Sequence, residues 1–302
     1  MNKLKKIISM TAICSSLLIF GMNDNEAEAL KYFSQTPQMI SSNTPYGDNQ
    51  SASHYVKSDD AKIYYEVYGQ GDPIVILHGG GLGCAYEMGC FIDKLKVTNQ
   101  VIVISTRGHG KSEIGHKPFT LKQRADDIQA VLKDFNVKKS VTMIGFSDGG
   151  YSGYSFAVNY PDRVKKLITI GAGEVLKTNK FFVFDLNAWR KFDAEFIDQQ
   201  KKLMPEPDRW QEMLHMYEDM WNNTIVSREI FSKIKCPVLL INGENDPNSP
   251  MTTAIAAYYE LPNANISIIP NTSHACFLEN FNAVWSVIEP FIKVELRMQN
   301  AE

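Results

Sequence analysis

The chain is 302 residues long, with 44% apolar and 22% charged residues. Those proportions suit a globular α/β domain and exclude general disorder, a collagen-like repeat and a disulfide-rich miniprotein. With 31 Lys and Arg against 34 Asp and Glu, the net charge is −3 and no basic run occurs, which argues against a nucleic-acid partner.

Met1–Lys6 carries three lysines, Ile7–Met22 is an uncharged run, and Ala27-Glu28-Ala29 is a small-x-small cleavage pattern. Basic, apolar, then small is the order of a signal peptide, so residues 1–29 are expected to direct export. The apolar run is short for a bilayer span, which needs about 20 residues. The alternative is a retained anchor that keeps the protein at the cell surface. Without it, no membrane contact is expected of the mature form. Residues 30–53 are rich in Ser, Asn, Gln and Thr without periodicity, and predict a flexible arm.

From His54 the pattern changes. Ala61–Tyr68 alternates as a strand does, and Pro73–Leu77, Val101–Ser105, Val141–Phe146, Val164–Ile170, Pro237–Ile241 and Ile266–Ile269 are short apolar runs. Such runs suit strands buried on both faces. Helical spacing links Leu121, Ala125, Ile128, Leu132 and Phe135 behind a capping Thr120, and recurs in Ser152–Tyr160 and Ala283–Leu296. The alternation predicts an α/β domain over 54–297, its mostly parallel sheet covered by helices on both faces.

Residues 173–232 break the alternation. They hold helical patterns near Leu186–Leu203 and Arg209–Trp221 and three of the four tryptophans, Trp189, Trp210 and Trp221. They predict a helical insertion, either a lid over a pocket or a helical pair packed for its own stability. Cys84, Cys90, Cys236 and Cys276 follow the leader and are expected as unpaired, part-buried thiols.

The sharpest motif is Gly145-Phe146-Ser147-Asp148-Gly149, a G-x-S-x-G match between a strand and a helix. Small neighbours are needed there because the nucleophile sits on a strained turn. A serine hydroxyl needs a base. His274 lies just after the last strand, at the carboxyl edge where doubly wound sheets keep their sites, whereas His215 lies inside an insertion helix. Asp246 follows the strand before and is the expected orienting acid, with Glu244 and Glu174 as competitors. The glycines after His78 suit an oxyanion hole, with Gly80 N–H, or Gly81 beside it, paired with the N–H of Asp148. The Asp148 carboxylate has two readings, selection of a cationic amine or a cap on the following helix.

The order Ser147…Asp246…His274, the elbow and Thr106-Arg107-Gly108-His109-Gly110-Lys111-Ser112 after a strand resemble the α/β-hydrolase superfamily over roughly 54–296. The elbow is most similar to esterase-like branches that include valacyclovir-hydrolase-like proteins. Thr106 stands where that family usually has Asp, a departure expected to touch packing more than chemistry. The resemblance implies a serine hydrolase of small esters, thioesters, lactones or amides, with Ser147, His274 and Asp246 as its triad and no cofactor or metal. C–C bond hydrolysis and cofactor-free perhydrolysis use the same triad, and a binding protein on this scaffold is the remaining alternative. The oligomeric state is open.

Overall fold

The computed structural model describes residues 29–177 and 182–294. The expected export segment, residues 1–29, lies outside them except for Ala29.

Eight strands form one sheet in the order β1-β2-β4-β3-β5-β6-β7-β8. In chain order they are β1 (Ser53–Ser58), β2 (Ala61–Tyr68), β3 (Asp72–Leu77), β4 (Asn99–Ile104), β5 (Val141–Phe146), β6 (Val164–Ile170), β7 (Val238–Gly243) and β8 (Ala264–Ile269). β1 and β2 run antiparallel at one edge, and every pairing from β4 to β8 is parallel. The apolar runs are unbroken because both faces are covered. Ile74 and Ile76 of β3 enter one core and Val75 and Leu77 the other, the period of two expected of a strand.

The first core receives α1 (Gly89–Leu95), and the second receives α2 (Leu121–Asp134) and α3 (Asp148–Asn159). Thr120 caps α2 by accepting the Gln123 N–H at 3.0 Å, as its sequence predicts. The 173–232 insertion follows as α4 (Leu186–Phe192), α5 (Ala194–Leu203), α6 (Trp210–Asn223) and α7 (Arg228–Phe231). The first helical pattern is thus two helices. Asp193 divides them, leaving the helical region of backbone and accepting the Phe196 N–H at 3.0 Å as the cap of α5. The chain closes with α8 (Met251–Glu260), α9 (Cys276–Glu279) and α10 (Phe281–Lys293), the last capped by Asn280. The end of the expected 283–296 helix lies outside the described residues.

The flexible arm is corrected by the structure. Tyr32 and Tyr46 are buried. The Gly47 and Asn49 N–H groups donate to buried Glu66 of β2, and Lys31 pairs with Asp193 at 3.0 Å. A polar composition misleads here because the arm is held by two tyrosines and by backbone bonds to carboxylates. Cys84, Cys90, Cys236 and Cys276 are free thiols, and all are buried.

Candidate active site

Ser147 stands between β5 and α3 with φ 49° and ψ −117°, a left-handed backbone for a residue with a side chain. Two close approaches hold it there. A methyl at Gly145 would meet the Gly149 carbonyl oxygen at 2.3 Å, and one at Gly149 would meet that of Leu77 at 2.6 Å. The Ser147 N–H donates to the Ile170 carbonyl at 2.7 Å, tying the turn to the end of β6.

His274 and Asp246 reach this point from the loops after β8 and β7. His274 Nε2 lies 2.9 Å from Ser147 Oγ, and its Nδ1 lies 2.8 Å from Asp246 Oδ2. Asp246 is buried, and its Oδ1 accepts the N–H groups of Asn248 and Ser249 at 2.8 and 2.9 Å. A carboxylate so held favours the imidazole tautomer with its proton on Nδ1, which leaves Nε2 to accept from the serine hydroxyl. Gly171 (φ +63°) ends β6 beneath the pair, and a methyl there would meet His274 Nδ1 at 3.0 Å.

The competitors stand elsewhere. Glu244 accepts the Asn271 N–H at 2.9 Å and braces the loop that carries His274. Glu174 donates its N–H to the Thr253 carbonyl at the start of the insertion. His215 is an exposed residue of α6, with Nδ1 3.0 Å from Glu218.

The glycine loop lies against the elbow. The Gly79 N–H donates to Glu87 Oε1 at 2.6 Å, and the N–H groups of Leu82 and Gly83 both return to the Gly80 carbonyl. Glu87 is buried, and burial pushes its carboxyl up to about 8. His78 anchors the start of the loop, with Nδ1 2.6 Å from the Gly79 carbonyl and Nε2 accepting the Thr106 N–H at 3.0 Å. Burial lowers the His78 imidazole to about 4. A methyl at Gly80 would meet Asp148 Cβ at 2.9 Å and Tyr217 Cε1 at 3.0 Å. Gly80 and the first residue of α3 are therefore direct neighbours.

Asp148 corrects both readings of its side chain. The carboxylate neither faces open space nor caps α3. It is buried, 3.3 Å from Arg124 Nη1, and accepts the Tyr217 hydroxyl at 3.2 Å. Burial raises the Asp148 carboxyl, with Arg124 and Tyr217 opposing. Arg124, Tyr217 and Glu87 are the polar residues that sequence reasoning missed. One signal existed: Arg124 falls at helical spacing from Leu121 and Ile128, so an arginine sits in an otherwise apolar stripe.

The insertion supplies an aromatic wall. Trp189 lies 3.2 Å from a methyl placed on Gly81, and tilted and edge-on ring contacts run from Trp189 to Phe184, Phe182, Trp221 and Tyr151. Beyond Tyr151 opens a cavity of about 700 Å³ lined by Tyr154, Val158, Met216, Met220 and Ile230 among others. Among the described residues no group of three or more His, Cys, Asp and Glu is placed to hold a metal ion.

A family model described as the alpha/beta hydrolase fold matches residues 72–204, the stretch that contains the glycine loop and the elbow. The fold is that of the α/β-hydrolases, and the match supports a place in that superfamily. The chain is 35% identical over 126 residues to the cis-3-alkyl-4-alkyloxetan-2-one decarboxylase of Shewanella oneidensis, a match covering 40% of this chain and 38% of that relative. It is 23% identical to the human serine hydrolase BPHL over 79% of this chain and 85% of that one. Est816, described as an N-acyl homoserine lactone degrading enzyme, superposes with a TM-score of 0.62 at 23% identity, over 79% of this chain and 100% of that one. That likeness shows the fold.

Proposed function

We propose that the protein is an exported serine hydrolase that cleaves a carboxylic ester, thioester, lactone or amide of a small molecule through an acyl-enzyme. One observation carries the reading. Ser147 Oγ, His274 and Asp246 form a continuous hydrogen-bonded chain, 2.9 and 2.8 Å per link, on a strained turn. That geometry supports Ser147 as the nucleophile, His274 as its base and Asp246 as the group that orients the base.

Ser147 Oγ attacks the carbonyl carbon while His274 Nε2 takes the hydroxyl proton. Asp246 holds the imidazole by its Nδ1–H and stabilises the imidazolium. The carbonyl oxygen becomes an anion and needs backbone donors. Gly79, Leu82 and Gly83 already spend their N–H groups within the loop. Gly80, with Gly81 beside it, and Asp148 at the N-terminus of α3 are the donors this leaves. The tetrahedral intermediate collapses, the leaving group takes the proton from His274, and the acyl group stays on Ser147. Water activated by His274 then releases the acid.

Carboxylesterase action is the form we favour, since an uncharged carbonyl is all that this machinery requires. The insertion is proposed as the lid that sets the acyl group accepted. Export, with release or retention at the surface, rests on the order of charge and apolarity in residues 1–29.

The test is a fluorophosphonate probe on purified protein, followed by a panel of esters of rising acyl length. The probe should modify Ser147 and leave Ser147→Ala unlabelled and folded. Undiminished turnover by Ser147→Ala would refute the mechanism. Sequencing the N-terminus of protein recovered from the medium tests export, with Leu30 as the expected first residue.

A further inference from the structure

The chemistry proposed above uses Asp148 only through its N–H, yet the side chain of Asp148 is built into a buried cluster. Its partners come from two different parts of the molecule. Arg124 belongs to α2, on the core, and Tyr217 belongs to α6, in the insertion. All three residues are buried, 2% exposed or less.

Tyr217 makes the widest set of contacts. Its hydroxyl donates to Asp148 Oδ2 at 3.2 Å. Its ring lies under the Arg124 guanidinium, 4.7 Å from carbon to centroid, and edge-on to Phe119 and His109. Its Cε1 lies 3.0 Å from where a methyl on Gly80 would be. One side chain of the insertion therefore touches the glycine loop with its ring and the start of α3 with its hydroxyl. Those are the two segments whose N–H groups must converge on one oxygen.

We propose that Tyr217, backed by Arg124, is a positioning residue that couples the docking of the insertion to the geometry of the oxyanion hole. The inference rests on the hydrolase reading. With Tyr217 seated, its ring backs Gly80, and its hydroxyl together with Arg124 fixes the rotamer of Asp148 and so the direction of the first N–H of α3. With α6 displaced, the carboxylate keeps Arg124 and loses the hydroxyl, and the ring no longer backs Gly80. Misplacing a group by about 1 Å can cost up to ~10² in rate, so one hydrogen bond of this kind is expected to change kcat by about tenfold.

The experiment is Tyr217→Phe, which removes the hydroxyl and keeps the ring, assayed with p-nitrophenyl acetate. Its short acyl group is chosen to keep chain-length effects out of the reading. The expected result is kcat about tenfold lower with KM within about twofold, and fluorophosphonate labelling slowed in the same proportion. A purely structural role would lower the melting temperature and the active fraction while leaving kcat per labelled site unchanged. Asp148→Asn combined with Tyr217→Phe should be no worse than the more damaging single change, because both act on one contact. Additive losses, an effect confined to KM, or no change in kcat would overturn the proposal. Should Tyr217→Phe not fold, Arg124→Lys reports on the same carboxylate, with lower kcat per labelled site expected and an unchanged value overturning the idea. If Ser147→Ala stays active, the hydrolase reading falls; if it is dead and Tyr217→Phe is unimpaired, only the coupling falls.

Discussion

Two buried aspartates lie near Ser147, Asp148 beside it in sequence and Asp246 behind His274, and each has a different kind of partner. Asp246 faces an imidazole at 2.8 Å, and that imidazole keeps an exposed edge. Asp148 faces a guanidinium at 3.3 Å, with both groups sealed at 2% exposure. An imidazole gains and loses a proton near neutral pH, whereas a guanidinium holds its proton under all ordinary conditions. The first pair can take part in a proton transfer. The second can only hold a shape. Two aspartates of similar burial are thus suited to different tasks, proton chemistry in the proposed mechanism and architecture, by the residue each one meets.

The comparison breaks most readily at Asp246. Asp246→Asn keeps the size and removes the charge, so the tautomer of His274 is no longer fixed. A loss in kcat of about 10⁴ is expected with little change in melting temperature. Glu244→Gln and Glu174→Gln should stay within a few fold, and a larger loss at Glu174 than at Asp246 would move the acid to the end of β6.

Arg124→Met should show the opposite pattern. Leaving Asp148 buried without its cation is expected to cost about 3–5 kcal/mol of stability, read by denaturant unfolding. Adding Asp148→Asn removes the stranded charge and should recover a large part of that loss. If Arg124→Met unfolds no more readily than the parent, the second pair does not hold the shape assigned to it.

Glu87 sharpens the contrast, because it is a third buried carboxylate and the Gly79 N–H is its hydrogen-bond donor. Its carboxyl is raised by burial to about 8, above the ordinary 4.5 of the unfolded chain. Between those values the folded state binds the extra proton, so this group removes stability as pH rises from about 4.5 to 8. Glu87→Gln mimics the protonated form and still accepts the Gly79 N–H. It should raise the unfolding free energy, read by denaturant titration, at pH 8 by more than at pH 5, with a difference on the order of a few kcal/mol. His78 runs the other way. Its imidazole is lowered to about 4, so its share of stability is present above about 6.5 and is lost as pH falls through 4.

The smallest effects are expected in the aromatic wall. Trp189→Ala, beside Gly81, and Trp221→Ala, against Tyr151, should change the ranking of esters by acyl length. Each methylene that gains or loses apolar cover is worth about 0.8 kcal/mol, or roughly fourfold in kcat/KM. Trp210 is buried behind the site and should alter stability instead. An unchanged ranking in both Trp189→Ala and Trp221→Ala would leave the insertion a structural element.

The elbow was legible because its demand is local: a side chain at Gly145 or Gly149 collides with backbone, so the motif survives in sequence as glycine. His274 and Asp246 were legible because parallel strands deliver their following loops to one edge. The supporting residues depend on contacts between distant segments. Nothing near Arg124 in sequence announces Asp148, and nothing near Tyr217 announces Gly80. β1 escaped notice because its burial does not alternate, and it is an edge strand with one neighbour. The first insertion helix was read as continuous because a lone Asp193 does not look like a break until Lys31 and Ser34 are seen to hold it.

That hold has a practical side. The side chain of Gln199 in α5 grips the backbone on both sides of Leu30, accepting the Lys31 N–H and donating to the Ala29 carbonyl, each at 3.0 Å. The segment around Leu30 is thereby tied to the insertion, and the bond from the Lys31 N–H remains if the chain begins at Leu30. A fusion partner or purification tag placed here adds its load to the insertion. A trimmed version beginning at His54 would leave Asp193 without Lys31 and Ser34. For anyone preparing this protein, the choice of first residue is a choice about the insertion, and a tag belongs at the other end.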